Sequence, residues 1–215
     1  MKPKYICVVW DWNGTIIDDV NISLKAVNDI LCKRHKPQIT LEQYRSYIDV
    51  PITKFYDNIF DLKTEISFDT LQKEFNDAYH HYLSEASLND GIIPLMQKIR
   101  DYGMKQIIVS SSHQSIVERN SEKFGVKKYM DYISGSDNHF VGSKLERAIN
   151  TIHKITYDHS KVIAIGDTLH DCELAMEIGA DCILISTGHQ SKKDLLSTGK
   201  PVIDNIKELE KYLFI

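Results

Sequence analysis

A chain of 215 residues is long enough for one α/β domain with a small accessory module, and its 42% hydrophobic, 26% charged composition excludes disordered and fibrous classes. The formal net charge of −4, with basic residues no denser than pairs such as Lys127-Lys128 and Lys192-Lys193, argues against a nucleic-acid partner, because phosphate backbones demand clustered Lys and Arg.

In chain order, "YICVVW" (5–10) reads as a strand. Its apolar run is too short for a signal-peptide core or a membrane span. Cys7, Cys32, Cys172 and Cys182 are far apart and lack CxxC spacing, so they read as reduced thiols, mostly small buried hydrophobes. The expectation is a cytoplasmic protein with no membrane partner and no zinc site. Residues 17–87 carry no convincing strand. They show helical periods over 21–34 (Leu24, Val27, Ile30, Leu31), over 41–48 after a Thr40-x-x-Gln43 capping box, over roughly 52–60, and over 68–83. The last places Phe68, Leu71, Phe75, Ala78 and Tyr82 on one face behind a Ser67 cap.

From residue 88 onward the rhythm changes to strand, helix, strand. Helical patterns at 92–102, 114–124, 144–155 and 169–178 alternate with the runs "KQIIVS" (105–110), "DYIS" (131–134), "KVIAIG" (161–166), "DCILIS" (181–186) and the weaker "PVID" (201–204). These runs are continuously apolar, as parallel strands covered on both faces must be. The fold class is therefore α/β, a doubly wound parallel sheet with an inserted helical module. Residues 1–16 and 88–215 would form the core and 17–87 the insert. Ligands in such sheets bind beyond the carboxyl ends of the strands.

Chemistry-bearing residues gather at those ends. "DWNGT" places Asp11 at the tip of the first strand, Ser110 closes "IIVS", Lys144 opens a helix after "VGS", and "GDTLHD" closes "VIAIG" with Asp167 and Asp171. Each has a plain structural alternative, such as a turn cap, a strand-end hydroxyl, a solvated lysine, or acids suited to a helix N-terminus. Their joint occurrence, in order and each after a fitting strand, resembles the four motifs of the haloacid dehalogenase (HAD) superfamily across the whole chain. The insert between the first two motifs is similar to the helical cap of the C1 subfamily, the group of phosphoglycolate phosphatase-like and β-phosphoglucomutase-like enzymes. "VIAIGDTLHDCELAMEIGA" and "PVIDNIKELEKYL" resemble that group closely.

The resemblance implies a Rossmannoid core and a phosphatase that forms an aspartyl phosphate on Asp11. It implies Mg2+ held by a carboxylate oxygen of Asp11, the main-chain carbonyl of Asn13, and Asp167, with Asp171 acting directly or through a water. Lys144 would neutralise the phosphoryl group and the nucleophile. Ser110 would donate a hydrogen bond to a phosphoryl oxygen, and Ser111 and Lys144 belong to the same substrate-binding set. The physical logic is that a carboxylate attacks an anionic phosphate ester only where cations neutralise its oxygens, and hard oxygen donors suit Mg2+.

Asn13 departs from the family pattern, in which that position is the acid/base aspartate. An amide exchanges no proton near neutral pH, and losing a general acid/base costs about 10²–10⁴ in rate. Three readings follow: a phosphatase that is slow or restricted to good leaving groups such as acyl phosphates; a substitute proton source among Asp18, Asp19, His113 and His170; or different chemistry. The last includes a phosphonatase-like cleavage using Lys54, and a weakly active phosphate-binding protein. The cap loop near 47–55, with Tyr47, Thr53 and Lys54, would face the leaving group of a small phosphorylated metabolite. Trp12 would pack beside the site or against the cap, and His80-His81 would be surface. Oligomeric state is left open.

Overall fold

The protein is described by a computed structural model covering residues 2–49, 52–60, 66–136 and 144–215. Its centre is a six-stranded parallel sheet. The strands are β1 (Cys7–Trp10), β4 (Lys105–His113), β5 (Tyr132–Ser136), β6 (Val162–Gly166), β7 (Asp181–Ile185) and β8 (Val202–Ile203), in the order β5-β4-β1-β6-β7-β8. The first strand therefore lies in the interior, and the chain winds outward from it to one side and then to the other.

Alternate residues of each strand feed opposite faces. Val8, Trp10, Ile108, Ile163, Ile165, Ile183 and Ile185 join one apolar cluster, with α5 (Ile92–Asp101) and α6 (Gln114–Lys123) packed on it through Leu95, Met96, Ile99 and Val117. Cys7, Val9, Ile107, Val109, Ala164, Cys182 and Leu184 join the other, against Ala148 and Ile152 of α7 (Lys144–Ile152) and Leu174, Ala175 and Ile178 of α8 (Leu169–Ile178). Burial on both faces explains why the strands read as unbroken apolar runs. Cys7, Cys172 and Cys182 are buried free thiols as expected, and Cys32 is exposed.

The insert is helical, as the periodicity predicts: α1 (Val20–Lys33), α2 (Leu41–Tyr47), α3 (Thr53–Asp57) and α4 (Phe68–Tyr82). The Thr40–Gln43 capping box and the Ser67 cap are both present. These helices enclose a third cluster around Val27, Ile30, Leu31, Tyr44, Phe55, Tyr56, Phe60 and Leu71. Ile22 and Ala26 of α1 and Tyr79 of α4 belong to the first sheet cluster instead, so the two longer helices carry the module onto the core.

One expectation needs correction. Residues 17–87 are not free of strand, because β2 (Ile17–Asp18) pairs antiparallel with β3 (Ser87–Leu88). Each has two residues, too few to show a period, and the pairing ties together the two crossings into the insert. The helices α9 (Lys192–Leu196) and α10 (Glu210–Leu213) are also too short to announce themselves by periodicity. Trp12 is 1% exposed and lies in the first cluster, and His80 and His81 are exposed.

Between β1 and its neighbour, the fully buried Gln106 accepts from Trp10 Nε1 at 3.2 Å and donates to the Met96 carbonyl at 2.9 Å. Gln106→Leu keeps most of the volume but deprives the Trp10 Nε1 donor and the Met96 carbonyl of these bonds. It is expected to destabilise the fold by about 1–3 kcal/mol, read as a lower urea midpoint at unchanged m-value.

Candidate active site

Strand register sets the site. Trp10 lies opposite Ile108 of β4 and Ile165 of β6, so the chain leaves the sheet at Asp11 with Ser110 and Asp167 on either side of it. The Asp11 amide donates to the Ile165 carbonyl at 2.9 Å, which holds Asp11 at the carboxyl end of the sheet. Lys144, at the first turn of α7, sends its ammonium to Asp11 Oδ1 at 2.6 Å and to Asp171 Oδ1 at 2.8 Å. Asp11, Asp167 and Asp171 bring carboxylate oxygens within 4.8 Å of one another.

Each carboxylate is oriented by its surroundings. Asp167 accepts from Thr15 Oγ1 at 3.0 Å and from the His189 amide at 2.6 Å. It sits between two glycines: a Cβ on Gly14, whose φ is +71°, would lie 2.3 Å from Asp167 Oδ2, and one on Gly188 would lie 2.2 Å from it. Asp171 makes two kinds of contact at once. Its Oδ2 caps α8, accepting from the Thr168 amide and hydroxyl at 3.1 and 2.7 Å, while its Oδ1 faces Lys144. Ser110 is 2% exposed, and its Oγ accepts from the Ser112 amide at 3.1 Å. Ser111 is exposed.

Three ionised acids beside one ammonium would leave a surplus of two negative charges in a nearly dry place. Burial, followed by repulsion from Asp171 and Asp167 that Lys144 only partly offsets, pushes the Asp11 carboxyl up to about 8. Burial likewise raises Asp167 to about 6, against the pull of His189. Asp171 is buried too, but Lys144 and the Thr168 hydroxyl hold it below the usual carboxylate range. The Lys144 ammonium, opposed by burial, is held charged by Asp11 and Asp171. Converging hard oxygens with excess negative charge are the donor set of a divalent cation such as Mg2+, so the residues fit that ion.

The asparagine is fully engaged. Its Oδ1 accepts from Ser112 Oγ at 2.8 Å, and its Nδ2 donates to Asp19 Oδ2 at 2.6 Å and to Tyr79 OH at 3.1 Å. Asp19, 1% exposed, also accepts from the Gly14 amide at 2.7 Å, from Tyr79 OH at 2.6 Å and from His189 Nε2 at 3.1 Å. The other ring nitrogen of His189 bonds Tyr44 OH at 2.9 Å. Burial works against both charges of this pair. The His189 charge and the donated bonds nonetheless hold Asp19 below the usual carboxylate range, and Asp19 raises His189 to about 9.

Of the four substitute proton sources suggested by the sequence, Asp19 alone among the described residues bonds the Asn13 side chain. Asp18 is exposed in β2, His113 caps α6 through Ser115, and His170 lies 3.7 Å from Glu173 on its own helix. Lys54 pairs with Asp49 at the surface, at 3.1 Å. Sequence reasoning missed Ser112, Tyr44, Tyr79 and His189, which approach from distant segments with no spacing signal. It also missed Arg45, whose guanidinium donates to the Gly188 and Thr187 carbonyls at 3.0 and 2.7 Å and so ties α2 to the loop that holds Asp167.

The sequence profile of haloacid dehalogenase-like hydrolases matches residues 8–185. The chain belongs to that family. Among its relatives, phosphoglycolate phosphatase 1 of Pseudomonas aeruginosa is 20% identical over 214 residues, covering 94% of this chain and 77% of the relative. A haloacid dehalogenase-like hydrolase from Streptococcus pneumoniae superposes with a TM-score of 0.84 at 18% identity, covering 97% of this chain and 98% of the other. Protein Tyrosine Kinase A of Mycobacterium tuberculosis superposes with a TM-score of 0.81 at 19% identity, covering 98% and 99%. At these identities the superpositions carry the fold.

Two outcomes follow from the geometry of this HAD-family site. A divalent ion binds the ionised carboxylates, so below the raised value of about 8 at Asp11 a proton must leave first. Mg2+ affinity measured by calorimetry is therefore expected to tighten by about tenfold per unit between pH 6 and 8, with release of one proton, more steeply below about 6 where Asp167 is protonated too, and to level off above about 8. Gly188→Ala forces Asp167 aside and is expected to weaken Mg2+ binding by at least about tenfold while the circular dichroism spectrum is retained.

Proposed function

We propose that the chain is a Mg2+-dependent phosphatase that accepts a phosphoryl group covalently on Asp11 and acts on a small phosphorylated metabolite. Membership of the hydrolase family and likeness to a phosphoglycolate phosphatase support phosphoric monoester hydrolysis. The observation that carries the rest is the Lys144 ammonium, set between Asp11 and Asp171 beside Asp167.

In this reading Asp11, the Asn13 carbonyl and Asp167 would hold Mg2+, with Asp171 acting directly or through a water. When bound, the ion supplies charge neutralisation that keeps Asp11 ionised and offsets the phosphoryl oxygens. Lys144 neutralises the phosphoryl group as it transfers, and keeps Asp11 turned toward it. Ser110 Oγ accepts from the Ser112 amide and keeps its own proton for a phosphoryl oxygen, with Ser111 next to it on the substrate side. Thr15 and the His189 amide hold Asp167 in one orientation. Residues 17–87 act as the cap over the core of 1–16 and 88–215. Their Tyr44 and Tyr79 hydroxyls meet the core at His189 and Asn13, where they limit water and the size of the leaving group. No helix among the described residues is long and apolar enough to cross a membrane, and the buried reduced cysteines support a cytoplasmic location.

The test is phosphate release from a panel of sugar phosphates, nucleotides and acyl phosphates, with and without Mg2+. Release is expected to require the ion, to vanish in Asp11→Asn, and to fall about 10²–10³-fold in Lys144→Ala. Release that is indifferent to Mg2+ and to Asp11→Asn would sink the proposal.

A further inference from the structure

Asn13 occupies the place from which the family's acid would serve the leaving group, and its hydrogen bonds define what the site can accept. The amide cannot release a proton, and both its donors are spent on Asp19 and Tyr79. The neighbours are spent on one another. Tyr79 OH donates to Asp19, and His189 uses one ring nitrogen toward Asp19 and the other toward Tyr44. Ser112 Oγ gives its proton to Asn13 Oδ1. Among the described residues, the groups bonded directly to the Asn13 side chain, Asp19, Tyr79 and Ser112, thus turn their protons on one another and not toward a departing oxygen.

From this we propose that the site is specific for activated phosphoryl donors, the acyl phosphates and phosphoanhydrides, whose leaving groups depart as anions. The inference rests on the phosphatase reading above. Asp11 Oδ forms a bond to phosphorus as the bond from phosphorus to the leaving oxygen breaks. The leaving group carries the electron pair away as a carboxylate or phosphate, so the step needs no proton. Water then attacks phosphorus, the bond to Asp11 breaks, the carboxylate is restored, and the water's protons pass to the phosphate product and solvent. Alkyl esters fail at the first step because an alkoxide must leave unprotonated, a deficit of about 10²–10⁴ in rate.

The physical reason the amide stands there is its neighbour. A carboxylate at 13 would face the buried Asp19 across the 2.6 Å now spanned by an N–H donor. The double exchange Asn13→Asp with Asp19→Asn keeps one amide and one carboxylate across that contact while moving the acid to position 13.

The experiment measures kcat/KM with Mg2+ for acetyl phosphate, dinitrophenyl, nitrophenyl and phenyl phosphate and an alkyl phosphate. Intact-mass spectrometry during acetyl phosphate turnover detects phosphoryl-Asp11, with Asp11→Asn as the blank. Wild type is expected to show the adduct and a steep fall from acetyl to phenyl and alkyl phosphate. The double exchange, where it folds by circular dichroism, is expected to raise the phenyl phosphate rate about 10²-fold relative to acetyl phosphate. An adduct with rates that stay level across the series would overturn the inference and leave the phosphatase reading standing. Absence of both adduct and turnover with every donor would remove the phosphatase reading, and the inference with it.

Discussion

The structure turns on the charge balance around Lys144. Three acids crowd together beside a single ammonium, and its contacts with Asp11 and Asp171, at 2.6 and 2.8 Å, are what allow those two to share the space. Such a cluster costs folding free energy, since buried like charges repel and lose their hydration. It persists because everything beneath it is over-determined: β1 lies between two parallel neighbours and is covered on both faces, so the tip carrying Asp11 cannot relax away. Asp171 shows the same economy, one oxygen ending a helix and the other facing the cation.

Much of this was legible in the sequence, for a definite reason. Strand identity and the doubly wound order are local properties, since each strand is an apolar run and Asp11, Ser110 and Asp167 follow such runs directly. Lys144 and Asp171 lie on helices, and it was the order of the motifs and their resemblance to the HAD superfamily that grouped them with the others. The insert's helices were legible from their periods and caps. The pairing of β2 with β3 was not, because two residues on each side carry no alternation and their meeting depends on where the intervening helices return the chain.

The polar set around Asn13 was illegible for a related reason. Asp19 is six residues from Asn13, but Tyr79 lies 66 away and Ser112 lies 99 away, while His189 joins Asp19 across 170 positions. Nothing in "DAYHHY" or "STGHQS" distinguishes Tyr79 or His189 from surface residues. Tyr79 is not among the residues that periodicity places on the apolar face of 68–83, although Ala78 and Tyr82 of that face pack against the same sheet-side cluster. It is buried because it belongs to the sheet side, where its ring packs in the core and its hydroxyl reaches Asp19.

That polar set also ties the helical insert to the acidic loops. Asp19 stands at the start of α1, yet it grips the Gly14 amide, Tyr79 from α4 and His189 from the loop after β7. The amide of the same His189 holds Asp167, and Arg45 of α2 holds the carbonyls just before it. A shift of α2 or α4 therefore pulls on the group that orients Asp167, and packing between Gly14 and Gly188 leaves that carboxylate little room to absorb it. Placement of the insert and alignment of the acids are consequently joined through the contacts of one residue, His189.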